Sequence, residues 1–232
     1  MPNAELGNTR TPSAMPPFRR RILIVTDSLG FPRHEPEMLR YEDTYIALLK
    51  AKYPQYDFIH QGYGGATIRE LLQHTAYFDQ TLNPALVIMQ CGVVDCAPRA
   101  LTRIEHHVIA NLPFLKRLLV PLVKRYSPLL RRVRKITYTS PEDFAVHVDQ
   151  FEKRFGNVIW LGIVPSTPEW EERVTGIGRQ IDLFNAILAT HKFIPTDNLV
   201  AQDMMSDHHH PNTSGHRKIF ERLEATVDAL QS

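Results

Sequence analysis

The sequence predicts an α/β fold, a doubly wound and mainly parallel sheet held between helices in a three-layer α/β/α arrangement. Three observations carry that expectation. Short, continuous runs of branched apolar residues, at 21–25 and 85–91, read as strands buried on both faces. These runs alternate along the chain with stretches of helical periodicity. Each run gives way to Gly, Pro, Asp or Ser, which mark the loops that follow strands. With 232 residues, 43% of them hydrophobic and 22% charged, the chain is long and apolar enough for one domain with a sizeable core.

Taken in order, residues 1–19 carry Pro2, Pro12, Pro16 and Pro17 among small polar residues and read as a flexible tail ahead of a single domain at 20–232. The first strand, 21–25, ends at Thr26-Asp27-Ser28, and Gly30, Pro32 and Pro36 then hold the chain in a loop. Residues 42–53 look helical, with Ile46 and Leu49 facing inward, and 55–60 form a weaker strand candidate. Gly64 and Gly65 come next, before Thr67-Ile68-Arg69-Glu70, whose spacing fits a capping box with Thr67 as N-cap. Bare backbone N–H groups beside a helix N-terminus suit developing negative charge. The central strand, 85–91, ends at Gly92-Val93-Val94-Asp95. A further strand at 157–164 is stopped by Pro165 and Pro168, and Ile181, Phe184 and Leu188 mark a helix. Residues 199–202 read as a last short strand, and Ile219, Leu223, Val227 and Leu230 as the apolar stripe of the final helix.

Residues 103–135 stand apart. They hold nine bases against Glu105 alone, a formal +8 in a chain of +2. Apolar groups alternate with the bases, and Pro113, Pro121 and Pro128 argue against one long helix. The segment reads as an inserted basic helical lid or arm. It is either a solvated face over an ordinary core or a contact for an anionic glycan, a nucleotide-linked donor or an acidic membrane surface.

Composition excludes several classes. The net charge of +2 gives no reason to expect specific nucleic-acid binding, and two cysteines, Cys91 and Cys96, make neither a disulfide framework nor a zinc spacing. Neither a signal-like N-terminal run nor a membrane-length apolar run is seen, so a cytoplasmic protein is expected, with the basic segment offering a membrane-peripheral contact. The oligomeric state is left open.

The chemistry-bearing stretch is Asp207-His208-His209-His210-Pro211-Asn212-Thr213-Ser214-Gly215-His216. Pro211 pushes His210 toward extended geometry, and Thr213 or Ser214 is placed to cap the helix that follows. A carboxylate three residues ahead of an imidazole, on a stiff loop, suits proton transfer, and Ser28 at the far end of the chain offers the hydroxyl. His208 and His209 are taken as polar loop groups; with adjacent histidines diverging and partner ligands lacking, a metal site is not expected. Cys91 has no base near it in sequence, and the 62–65 glycines match no phosphate-binding fingerprint.

On these residues the chain resembles the SGNH, or GDSL-type, hydrolase family across most of residues 21–231, the basic insertion excepted. Asp27-Ser28-Leu29 looks like the nucleophile motif, with Thr26 where glycine is usual. Gly65 matches the glycine that donates a backbone N–H, Gly92-Val93-Val94-Asp95 falls on the Gly-x-Asn-Asp block, and Asp207-x-x-His210 with Gly215 matches the last block closely. The resemblance implies a serine-dependent acyl-ester hydrolase (an esterase or deacetylase) working through an acyl-enzyme. Ser28 attacks, His210 acts as base and acid, Asp207 orients the imidazole, and the N–H groups of Ser28 and Gly65 form the oxyanion hole. No cofactor is implied. The substrate is expected to be a small acyl ester or an O-acylated sugar, contacted by Asp27, Gly64, Val94, Asp95 and Arg99. Val94 replaces the asparagine donor of the family, so either two donors suffice, another side chain such as Arg99 supplies the third, or the activity is lost or changed. Arg99 is read alternatively as a surface arginine after Pro98. An O-acyltransferase with the same triad, or a degenerate binding protein on this scaffold, are the alternatives.

Overall fold

The structure, a computed structural model, describes residues 19–75 and 78–230, so most of the expected tail lies outside it. The strands are β1 (Arg21–Thr26), β2 (Asp57–Gly62), β3 (Leu86–Gln90), β4 (Val158–Leu161) and β5 (Phe193–Ile194). The helices are α1 (Tyr45–Lys52), α2 (Ile68–His74), α3 (Phe78–Thr81), α4 (Val93–Cys96), α5 (Arg103–Asn111), α6 (Pro113–Arg134), α7 (Pro141–Phe155), α8 (Pro168–Arg173), α9 (Ile177–Leu188) and α10 (Thr213–Asp228).

All pairings in the five-stranded sheet are parallel, in the order β2-β1-β3-β4-β5. The chain moves from β1 to β2 in one direction and from β3 to β5 in the other. With right-handed crossovers, the connecting helices fall on opposite faces. Accordingly α1 packs with α10, while α2, α7 and α9 form the second layer. β1 and β3 are buried along nearly their whole length, as continuous branched runs require in a sheet covered on both sides. Trp160 on β4 fills the core between Phe151 and the sheet, and its indole N–H donates to Glu152 at 2.9 Å.

Local expectations hold in several places. The capping box of α2 forms, with Thr67 N–H donating to Glu70 at 2.8 Å, and Ile46 and Leu49 are buried on α1. Three expectations are corrected. Residues 199–202 are not a strand: Asp203 accepts from the Val200 N–H at 2.9 Å and winds Ala201–Asp203 into a 3-10 turn, while the last strand is the two-residue β5. The cap of α10 is Asn212, not Thr213 or Ser214, with its side chain accepting from the N–H groups of Ser214 and Gly215. And α6 runs for 22 residues straight through Pro121 and Pro128, with only Pro113 dividing it from α5. Both internal prolines face solvent, where the carbonyls they leave unbonded can reach water.

The arm is a pair of packed helices, α5 and α6, latched by a two-pronged Arg134–Glu105 ion pair at 2.8 Å. Its outer face exposes Leu122, Tyr126, Leu129 and Val133, one stripe at helical spacing. Among the described residues no helix is long and apolar enough to cross a membrane.

The start of α10 is pinned against the 203–212 loop. A Cβ on Gly215 would lie 2.4 Å from the Asp203 carbonyl oxygen, so only glycine permits this approach. Gly215→Ala is expected to lower the unfolding free energy by about 1–3 kcal/mol in urea titrations. Ser214→Ala, which loses one hydrogen bond to Asp203, should cost about 1 kcal/mol. Equal, small losses in both would contradict the close approach.

Candidate active site

In this strand order ligands bind at the switch point between β1 and β3, beyond their carboxyl ends. Ser28 lies there, just after β1, in a 3-10 turn capped by Asp27, whose Oδ1 accepts from the Leu29 N–H at 2.9 Å. Arg33 returns to the same turn and donates to the Ser28 carbonyl at 2.7 Å. Thr26, in the place where glycine was expected, is fully buried, with its hydroxyl 2.9 Å from His60 Nε2.

From the other end of the chain, the 203–212 loop brings the acid and the imidazole. It is closed by Met205 N–H donating to the His210 carbonyl at 2.8 Å and Asn212 N–H donating to Asp203 at 2.9 Å. Glu37 also accepts from the Ser206 N–H at 3.1 Å, tying this loop to the one after β1. Asp207 accepts twice from His210, through the backbone N–H at 3.0 Å and through ring Nδ1 at 2.6 Å. The other ring nitrogen, Nε2, stands 3.1 Å from Ser28 Oγ. Acid, imidazole and hydroxyl thus form one continuous line, and the Asp207 bond places the ring proton on Nδ1, leaving Nε2 to accept. Burial pushes the Asp207 carboxyl up, but the hydrogen bonds from His210 and the nearby imidazoles more than offset it and hold the group well below the usual carboxylate range.

Gly65 faces Ser28 across a cavity of about 280 Å³ that Val94, Arg99, Arg131, Trp170 and His209 also line. Gly65 takes a left-handed φ of 71°, and neither its N–H nor that of Ser28 donates to another group among the described residues. The two are therefore available to a ligand oxygen. A larger cavity, about 440 Å³, lies between Thr67, Glu70, Arg103 and His147 and does not reach Ser28.

Val94 and Arg99 meet the cavity as expected, but Asp27 and Asp95 do not contact it. Both are fully buried. Asp95 accepts from the Ile68 N–H at 3.1 Å and from the Thr139 hydroxyl, fastening the turn after β3 to the start of α2 and so positioning the Gly65 loop. Burial raises its carboxyl to about 6, with the Thr139 and Ile68 donors pulling the other way. Gly64 is exposed and is not part of the cavity lining. His209, expected as a polar loop group, instead lines the cavity, stacked on Trp170 at 5.5 Å between ring centroids. Asp207, His209 and His210 offer three ligand atoms within 4.8 Å of one another. Asp207 and His210 are also joined by the 2.6 Å hydrogen bond between Oδ2 and Nδ1. Sequence reasoning missed Arg33, Arg131 and Trp170, since no local spacing links them to Ser28.

No family model matches the chain, and no curated protein sequence does either. Solved structures do. The chain has the SGNH/GDSL-type hydrolase fold. A lipase/acylhydrolase from Enterococcus faecalis superposes with a TM-score of 0.64 at 12% identity, over 91% of this chain and 96% of that one. A GDSL-like lipase from Bacteroides thetaiotaomicron gives 0.56 at 14%, over 91% and 89%. An acetylxylan esterase from Geobacillus stearothermophilus gives 0.56 at 15%, over 90% and 94%.

Asp27 yields a test of the site's electrostatics. Its Oδ2 is buried without a partner, and burial above all, with Asp95 adding to it, raises the carboxyl to about 7 from an ordinary 3.8. A carboxyl that holds its proton more tightly when folded contributes stability that is full below about pH 4 and lost as the pH climbs to about 7. Asp27→Asn keeps an acceptor for Leu29 and removes the titration. In urea unfolding between pH 4 and 7, the parent should lose stability relative to the variant as pH rises. A pH-independent difference would show that Asp27 ionises at its ordinary value.

Proposed function

We propose that the protein is a serine-dependent acyl-ester hydrolase that works through an acyl-enzyme on small acyl esters, O-acylated sugars among them. One observation carries this reading: the line from Asp207 through His210 to Ser28, with bonds of 2.6 and 3.1 Å. In this reading His210 Nε2 takes the Ser28 proton as Oγ attacks the ester carbonyl. Asp207 holds the ring and stabilises the imidazolium. The N–H groups of Ser28 and Gly65 bind the oxyanion, and His210 returns the proton to the departing alcohol. Water then repeats the sequence on the acyl-enzyme.

Val94 cannot donate to the oxyanion, and loss of one such donor typically costs about 10²–10³ in rate. Arg99 shares the cavity with Val94 and donates to its carbonyl at 3.3 Å, which supports it as the nearest replacement. The hydrolases of the same fold support ester chemistry, and the sugar reading draws on the acetylxylan esterase among them. Contact with an anionic surface or glycan through residues 103–135 belongs to the same proposal, supported by exposed Arg125 and Arg132 beside the outer apolar stripe.

The variants Ser28→Ala and Asp207→Asn should lower turnover of an activated acetate ester by about 10³–10⁴-fold or more with little change in thermal midpoint. With a sugar acceptor present, acetate release in excess of acetyl-sugar formation identifies a hydrolase. The reverse identifies an acyltransferase, and parent-like turnover by Ser28→Ala would end the serine reading.

A further inference from the structure

The cavity beside Ser28 contains more positive charge than ester attack requires. Arg99, from the turn after β3, and Arg131, from the arm helix α6, both line it. Arg99 lies over the Tyr138 ring at 4.6 Å, gives one N–H to the Val94 carbonyl, and has its Nε buried without a partner. Arg131 donates to the Arg173 carbonyl, and its Nε is likewise buried and unpartnered. Among the described residues neither guanidinium forms an ion pair, whereas Arg103 and Arg134, close by on the same arm, are matched by Glu70 and Glu105. Among the described residues no carboxylate lines this cavity.

Two arginines drawn close together in partial burial, with no counter-ion, are costly to hold. Burial lowers the proton affinity of both, and for Arg131 the charge of Arg99 lowers it further. A guanidinium nonetheless stays charged in a protein. Its planar fork of donors matches a carboxylate or a phosphate, and a buried cation gains most when such a partner arrives.

We propose that Arg99 and Arg131 form an anion subsite, so that the ester attacked by Ser28 carries a carboxylate or phosphate group beside the scissile bond. The substrate class rests on the hydrolase reading above, while the subsite does not. It also gives the basic arm a part in the site: α6 carries Arg131 across to a cavity built by the turns after β1 and β3.

The test is direct binding of inorganic phosphate and of succinate, measured separately by titration calorimetry. At least one of the two should bind the full-length protein, and which one does identifies a phosphate-type or carboxylate-type group. Arg99→Gln and Arg131→Gln should each weaken that binding by about tenfold or more. Arg217→Gln removes the same charge from an exposed position on α10 and should leave affinity within about twofold. Circular dichroism melts establish that each variant is folded. Absence of binding by either anion, or equal weakening in all three arginine variants, overturns the subsite. Anion binding without ester turnover would retain the subsite and reject the hydrolase reading. Ester turnover without anion binding would do the opposite.

Discussion

The site depends on a crevice that the strand order makes unavoidable. With β1 and β3 adjacent and their crossovers leaving to opposite faces, the chain on each side turns away and leaves the carboxyl ends of these two strands uncovered. Ser28 fills one side of the gap and the turn from Gly92 the other. The Gly65 loop is fastened to that turn through Asp95, and the loop carrying Asp207 and His210 closes over from α10. Helices and loops elsewhere serve to hold these four pieces at fixed separations.

Three carboxylates near the crevice show how environment separates roles. Asp27 and Asp95 are buried with few donors, and desolvation raises both. Asp207 is also desolvated, yet its bonds from His210 win and keep it ionised. An ionised Asp207 is what an imidazolium needs beside it, while Asp27 and Asp95 act on the backbone, capping the Ser28 turn and bracing the start of α2. Arg99 and Arg131 supply the opposite charge in the cavity lining, where no acid answers them among the described residues.

What was legible in the sequence was whatever chemistry travels with short spacing. Branched runs marked β1 and β3, the Thr67–Glu70 spacing marked the capping box, and Asp207-x-x-His210 placed acid and base on one loop. Contacts made across the fold left no such trace. Arg131 reaches the cavity because α6 folds back on α5, and Trp170 meets His209 from α8; neither pairing has a period to detect. β5 is too short to show alternation. The cap of α10 was misplaced because three consecutive residues could serve, and the choice fell to Asn212, which also bonds the carbonyls of Gln202 and Met204. That Asp27 and Asp95 turn inward was not legible, because position beside a motif does not reveal which way a side chain turns.

The central claim is that Ser28 is the activated hydroxyl, and covalent labelling reads it directly. Incubation of the folded protein with a fluorophosphonate, followed by peptide mass mapping, should place a single adduct on Ser28. A folded protein that acquires no adduct, or one that acquires it on another serine, would contradict the account.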